Sequence, residues 1–559
     1  MKKSIPIVYL KMILAIVVVL LLPKMVKAQP FTLADTLRGS NTAERKWWDV
    51  QRYDISVTPN FVLKKISGSC VITYKVLDHS KQVMQIDLQS PLVITSVIQN
   101  GKMATARQVS PFVYLVESDR FYRGNEGKLI IHFEGTPLEA IRPPWDGGWI
   151  WKKDSLGRPW MSVACQGLGA SVWYPCKDYQ GDEPDRGASL AITVPDSLQA
   201  ISNGRLISVE HKTDKTCTWN WEVKSPINNY NIIPYIGKYL QFTDTLQGEK
   251  GELSLDYWVL DYHLKQAQKQ FEQVKPMLHC FEEWMGPYPF YNDGYKLVEA
   301  PHLGMEHQSA VAYGNQFING YRGTDLSGSG WGLLWDFIIV HESGHEWFGN
   351  NITSIDIADM WVHESFTNYS ETIYTGCIYG VNAGKEYNQG IRKNIRNDQP
   401  IVGWYGVNNA GSGDMYYKGS NMLQTIRHSI NNDETWKQIL RGLNSHFYHQ
   451  TITGAQIQKY INKISAINFD KVFAQYLQTT QIPQLTYYKK NNGDVCIKWD
   501  SCIAGFNLPI VFEKGGHKKR IQPSDSQWKK VNAKYFDAEK LQLNYYIKMN
   551  DISNHTRKR

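Results

Sequence analysis

Apolar and polar residues alternate in short runs over the first part of the chain and fall at helical spacing over its middle. The runs at 69–76 and 128–133 are rich in β-branched residues and are set apart by Gly, Pro, Asn and Asp, so residues 29–246 predict a mainly β domain. Over 247–482 the period changes. The stretches 264–284, 331–347, 357–379 and 421–430 place their apolar residues on one helical face and predict a largely helical domain. Two Gly-, Asn- and Ser-rich stretches, 323–332 and 406–413, break that pattern as loops able to take positive φ. Strand patterns return at 485–489, 495–499 and 508–512, so residues 483–559 predict a small β domain. No internal repeat or long low-complexity tract suggests a solenoid or a disordered linker.

The first 28 residues differ from the rest. Lys2 and Lys3 precede an uncharged apolar run at 12–22, and Val26-Lys27-Ala28 stands before Gln29, the pattern of a cleaved signal peptide. Lys11 interrupts the segment, and the apolar run falls short of the roughly 20 residues a membrane-spanning helix needs. The expectation is an exported protein, periplasmic or secreted, with no stable membrane span once the leader is removed. The five lysines of this leader supply five of the eight net positive charges, leaving +3 on the remainder. That balance gives nucleic-acid binding no support, and the terminal Arg557-Lys558-Arg559 reads as a solvated tail. Eight cysteines without a CxxC pair indicate neither a cysteine zinc knuckle nor a dense disulfide scaffold. Cys496 and Cys502 are the pair closest in sequence, but sequence spacing does not give the geometry a bridge between them needs. Nothing in the sequence fixes an oligomeric state.

The chemistry sits in the helical part. His341-Glu342-Ser343-Gly344-His345 is an H-E-x-x-H sequence inside the 331–347 pattern, and residues four apart share a helical face, so both imidazoles can reach one ion. Zinc accepts such donors and needs a third protein ligand if one position is to stay open. Glu364, in Trp361-Val362-His363-Glu364-Ser365-Phe366, lies nineteen positions after His345 on the next predicted helix, and the turn at Gly349-Asn350-Asn351 lets that helix fold back toward the first. His363 points about 100° away from Glu364 and cannot share its face.

With these residues the chain resembles the zinc aminopeptidases of the aminopeptidase N and leukotriene A4 hydrolase type, peptidase family M1. Their H-E-x-x-H, eighteen residues, then E falls on His341, His345 and Glu364. The family's G-x-M-E-N is represented by Leu303-Gly304-Met305-Glu306-His307, which keeps Met and Glu but has Leu303 for the first Gly and His307 for Asn. By resemblance Glu306 binds the substrate's free α-amine. The family's Y-x-K-G corresponds to Tyr416-Tyr417-Lys418-Gly419, which puts the catalytic phenol on Tyr416, with Tyr417 as the competing assignment. Gln166, ahead of Trp173-Tyr174-Pro175, stands where relatives carry a Gln or Glu that assists amine binding. The resemblance implies a multidomain α+β fold: an N-terminal β-sheet saddle, a thermolysin-like zinc catalytic domain and a small C-terminal β-sandwich.

It also implies one zinc per chain, peptide substrates with a free N-terminus, and Glu342 as the general base toward a zinc-activated water. Two rivals remain at this point: a zinc endopeptidase with the same core, in which Glu306 binds no amine, and a non-catalytic peptide-binding protein with a structural zinc. A structural site would be closed by four protein ligands. The epoxide hydrolysis of one branch of the family has no specific support in the sequence.

Overall fold

The computed structural model describes residues 31–78, 83–117 and 123–553, so the leader and the basic tail lie outside the described residues. An eight-stranded sheet dominates the N-terminal domain, with Trp48–Asn60 near its centre, antiparallel to Lys65–Val76 and parallel to Ala188–Pro195. The alternation read from the sequence is borne out in Glu126–Gly135, where Leu129, Ile131 and Phe133 are buried while Lys128, His132 and Glu134 face out. Smaller sheets of four and three strands complete this domain around a Trp- and Tyr-rich core that includes Trp48, Trp149 and Trp173. Among the described residues no helix is long and apolar enough to cross a membrane.

A five-stranded sheet opens the catalytic part, ordered Tyr239–Gly248, Gly251–Leu260, Tyr295–Glu299, Val311–Tyr313 and Gly304–Met305. Its first two strands pair along their whole length from Tyr239↔Leu260 to Gly248↔Gly251. The boundary expected between 246 and 247 therefore falls inside a hairpin, and sheet membership moves it to before Tyr239. Periodicity could not reveal this, because the strand looks like those before it and only its pairing assigns it to the next sheet.

Helices Val274–Met285, Phe337–Gly344, Trp361–Tyr379 and Tyr417–Ile430 pack behind that sheet. The helical pattern at 331–347 is shorter than expected, since Asp336 accepts hydrogen bonds from the Ile338 and Ile339 amides and starts the helix there. The disulfide joins Cys280 to Cys377, tying Val274–Met285 to the end of Trp361–Tyr379. Cys496 and Cys502, the pair nearest in sequence, are both free thiols. The C-terminal module is a four-stranded sheet with a two-stranded hairpin and the helix Ala538–Asn544. Its Leu485, Trp499 and Phe512 share one continuous core with Phe473 and Leu477 of the helical domain, so the module is a buttress to that domain.

Candidate active site

Every residue of the Phe337–Gly344 helix is buried, and His345 follows as its C-cap. The chain then makes a tight turn in which Phe348 and Gly349 leave helical geometry, Gly349 at φ +130. A side chain at Gly349 would be strained at that φ and would press on His345 Nδ1 at 3.1 Å. The turn aims the Phe348 carbonyl at His345 Nδ1, 3.0 Å away, with Thr367 Oγ1 at 3.1 Å. On the other ligand, His341 Nδ1 donates to Glu371 Oε1 at 2.7 Å, and Glu371 is itself held by Asn368 and Tyr387. With both Nδ1 atoms engaged, the two Nε2 atoms are left to face Glu364.

Glu364 occupies the first turn of Trp361–Tyr379. Its Oε2 stands 3.7 Å from His341 Nε2 and 3.5 Å from His345 Nε2, and it is buried without a hydrogen-bond partner. Burial works against its charge, but the two histidines hold its carboxyl well below the usual range. These distances suit a metal. Donors about 2.0–2.1 Å from a tetrahedral zinc stand roughly 3.3 Å from one another, and two imidazoles with a carboxylate are zinc's donor set. The orphaned Oε2 atom is what such an ion would satisfy. Glu306, Glu342 and His345 also lie within reach of one another, but Glu306 Oε1 is taken by Gln166 and Tyr230, so the candidate three-ligand set is His341, His345 and Glu364.

Glu342 lies beside this set on the cleft side, where burial raises its pKa to about 7. The strand Gly304–Met305 passes so close that a Cβ on Gly304 would come within 2.7 Å of Glu342 Oε1, which accounts for glycine at that position. Glu306 follows the strand immediately. It is buried, and its Oε1 accepts from the Gln166 amide and, at 3.1 Å, from Tyr230 OH. Burial raises the pKa of Glu306 as well, opposed by His345. His307, standing where relatives have Asn, turns away from the cleft to bond Tyr235 at 2.7 Å, and burial keeps it neutral.

Tyr416 stacks on the His341 ring with centroids 6.0 Å apart and brings its phenol to Glu364, with Glu306 and Glu342 also acting on it. Tyr417 begins the Tyr417–Ile430 helix and faces Glu371, Tyr321 and Arg396. His363 accepts a 2.8 Å bond from the Ser354 amide, and burial lowers its pKa to about 3, so its role is local. All seven expected residues line one cleft of about 900 Å³ between the two large domains, its rim carrying Trp145, Lys393 and Arg396. Sequence reading missed Tyr230 and Glu371. Glu371 left a signal, since it follows Glu364 by seven positions, two helical turns on the same face. Tyr230 left none, because only the packing of the two domains brings it to Glu306.

Residues 269–476 match the model of the peptidase family M1 domain. The chain carries a peptidase family M1 domain. The chain is 21% identical over 524 residues to leukotriene A-4 hydrolase of Xenopus laevis, covering 86% of this chain and 81% of that protein. It is 23% identical over 361 residues to leucine aminopeptidase 2 of Vanderwaltozyma polyspora, covering 62% of this chain but 49% of that longer protein. Among solved structures, an M1 zinc metallopeptidase from Deinococcus radiodurans bound to the substrate Tyr-Ser-Ala superposes with a TM-score of 0.63 at 18% identity, over 78% of this chain and 95% of that one. The matched segment thus holds the candidate metal ligands, Glu342, Glu306 and Tyr416, while Gln166 and Tyr230 reach it from the β domain.

Proposed function

We infer that this protein is a zinc-dependent aminopeptidase that removes residues from the free N-terminus of peptides. The observation that carries this reading is Glu306, a buried carboxylate held by Gln166 and Tyr230 beside the His341, His345 and Glu364 set. A carboxylate so placed pairs with the ammonium of a free N-terminus and sets the first peptide bond against the metal ligands.

Zinc, when bound, supplies a Lewis acid that polarises a carbonyl and lowers the pKa of water toward neutrality. Glu342, whose pKa lies near 7, is poised to take a proton from the attacking water and return it to the departing amine. Burial keeps the Tyr416 phenol protonated, so it can donate to the carbonyl oxygen as negative charge gathers there. Gln166 and Tyr230 orient Glu306. An endopeptidase would have no use for that carboxylate, and a purely structural zinc none for Glu342 and Tyr416.

Export to a periplasm or the cell exterior belongs to the same reading. It is supported by the leader pattern at 1–28 and by the Cys280–Cys377 disulfide, a bond that oxidising compartments preserve.

The deciding experiment is a panel of aminoacyl and peptidyl chromogenic substrates, each with a free and an N-acetylated terminus. Rapid cleavage of the free series with little of the acetylated one is expected. Equal rates on both would replace this reading with the endopeptidase.

A further inference from the structure

The residues ahead of the large sheet belong to no sheet, yet they reach the cleft. Helix Leu33–Gly39 is anchored from behind by the buried Arg45, whose guanidinium donates to the Leu37 carbonyl at 2.5 Å, the Ser40 carbonyl at 2.7 Å and Asp87 at 2.6 Å. From this anchored arm, Arg38 Nη1 donates to the Gly167 carbonyl at 2.8 Å. On the other side the Asn408 amide donates to the Asp35 carbonyl at 3.2 Å. Gly39 lies so near that a Cβ there would stand 2.1 Å from the Val407 carbonyl carbon.

These contacts fall on the two segments that carry the substrate-side groups. Gly167 adjoins Gln166, whose amide meets Glu306, and the stretch holding Val407 and Asn408 runs on to Tyr416. The Gln166 loop turns through the buried Gly169 at φ +95 and is held beyond Gly167 by Gln89, which donates to the Leu168 carbonyl at 2.7 Å; at the exposed Gly167 itself the carbonyl accepts from Arg38.

We propose that Arg38 is a positioning residue for the amine pocket: by fixing the Gly167 carbonyl it holds Gln166 against Glu306, while the Leu33–Gly39 arm clasps that lip of the cleft to the 406–413 loop. The inference rests on reading Glu306 as the amine-binding group. Arg38 touches no reacting atom, so its loss acts on binding of the free amine more than on turnover.

The test is a kinetic cycle in the full enzyme with a free-amine aminoacyl anilide, using Arg38→Ala, Gln166→Ala and the double variant, with thermal melting and zinc content checked for each. Arg38→Ala should raise KM about three- to tenfold, the size of one ordinary hydrogen bond, with kcat changed less than about twofold. In the Gln166→Ala background the same change should add nothing, because its effect passes through Gln166. Arg38→Lys should recover part of the loss. Gly39→Val, which pushes the arm off Val407 from the far side, should raise KM without touching Arg38. An unchanged KM in Arg38→Ala, the same factor in both backgrounds, or a loss confined to kcat would overturn the proposal. Discrimination by the wild-type enzyme against acetylated substrates is measured separately, so failure of the clasp and failure of the aminopeptidase reading give different results.

Discussion

His341 donates through Nδ1 to Glu371 at 2.7 Å, and this bond turns its Nε2 toward Glu364. Glu371→Gln should therefore lower zinc affinity by about 10–100-fold while leaving all three ligands in place. Titration with a competing chelator, followed by metal analysis, measures the loss. Removing the metal from the wild-type protein should abolish peptidase activity, and zinc at one equivalent should restore it.

Glu342→Gln separates binding from chemistry. The carboxylate is not in the ligand set, so zinc content should stay at one per chain while kcat falls by about 10²–10⁴. A variant that lost both together would place Glu342 among the ligands.

Tyr416 and Tyr417 are neighbours in sequence but face different groups. Tyr416→Phe should reduce kcat by about 10²–10³, the usual loss on removing one oxyanion donor. Tyr417→Phe should cost much less. The opposite ranking in steady-state assays would shift the active phenol by one residue.

Glu306→Gln keeps the shape of the amine pocket and removes its charge. The value of kcat/KM for free-amine substrates should drop by on the order of 10²-fold if the ion pair contributes about 3 kcal/mol, with zinc retained. Gln166→Ala should cost less, as a neutral partner contributes less than a charged one.

Glu183 reports on the contact between the two large domains, since Thr353 of the catalytic domain donates to its Oε1 at 2.5 Å. Burial raises its pKa from 4.5 to about 7, against the opposing bonds from Thr353 and Asn228. Between those values the folded protein keeps a proton that the unfolded chain has released, so stability falls as pH rises through this window, and the cost is complete above it. Glu183→Gln should thus melt higher than wild type near about pH 8, by up to about 3 kcal/mol, with the difference vanishing below about pH 4. Denaturant melts across pH check the sign.

The sequence alone determined the candidate metal-binding histidines and the candidate base, because one helical turn fixes His341, Glu342 and His345 relative to each other whatever surrounds them. It also determined the succession of β, helical and β parts, since the two hydrophobic periods differ. It did not reveal that Asp336 starts the ligand helix late, that the strand Tyr239–Gly248 belongs to the catalytic sheet, or that Cys280 bonds Cys377 rather than Cys496 bonding Cys502. The strand pairing and the disulfide depend on partners distant in sequence, whereas the Asp336 cap is local, made to the Ile338 and Ile339 amides. The proposed amine pocket is the clearest case: Arg38, Gln166 and Tyr230 lie on three separate segments of the β domain, and Glu306 joins them only when that domain packs against the catalytic domain. Local pattern carries torsional and facial preference along one element, whereas a site built across a domain interface is decided by which buried surfaces fit together.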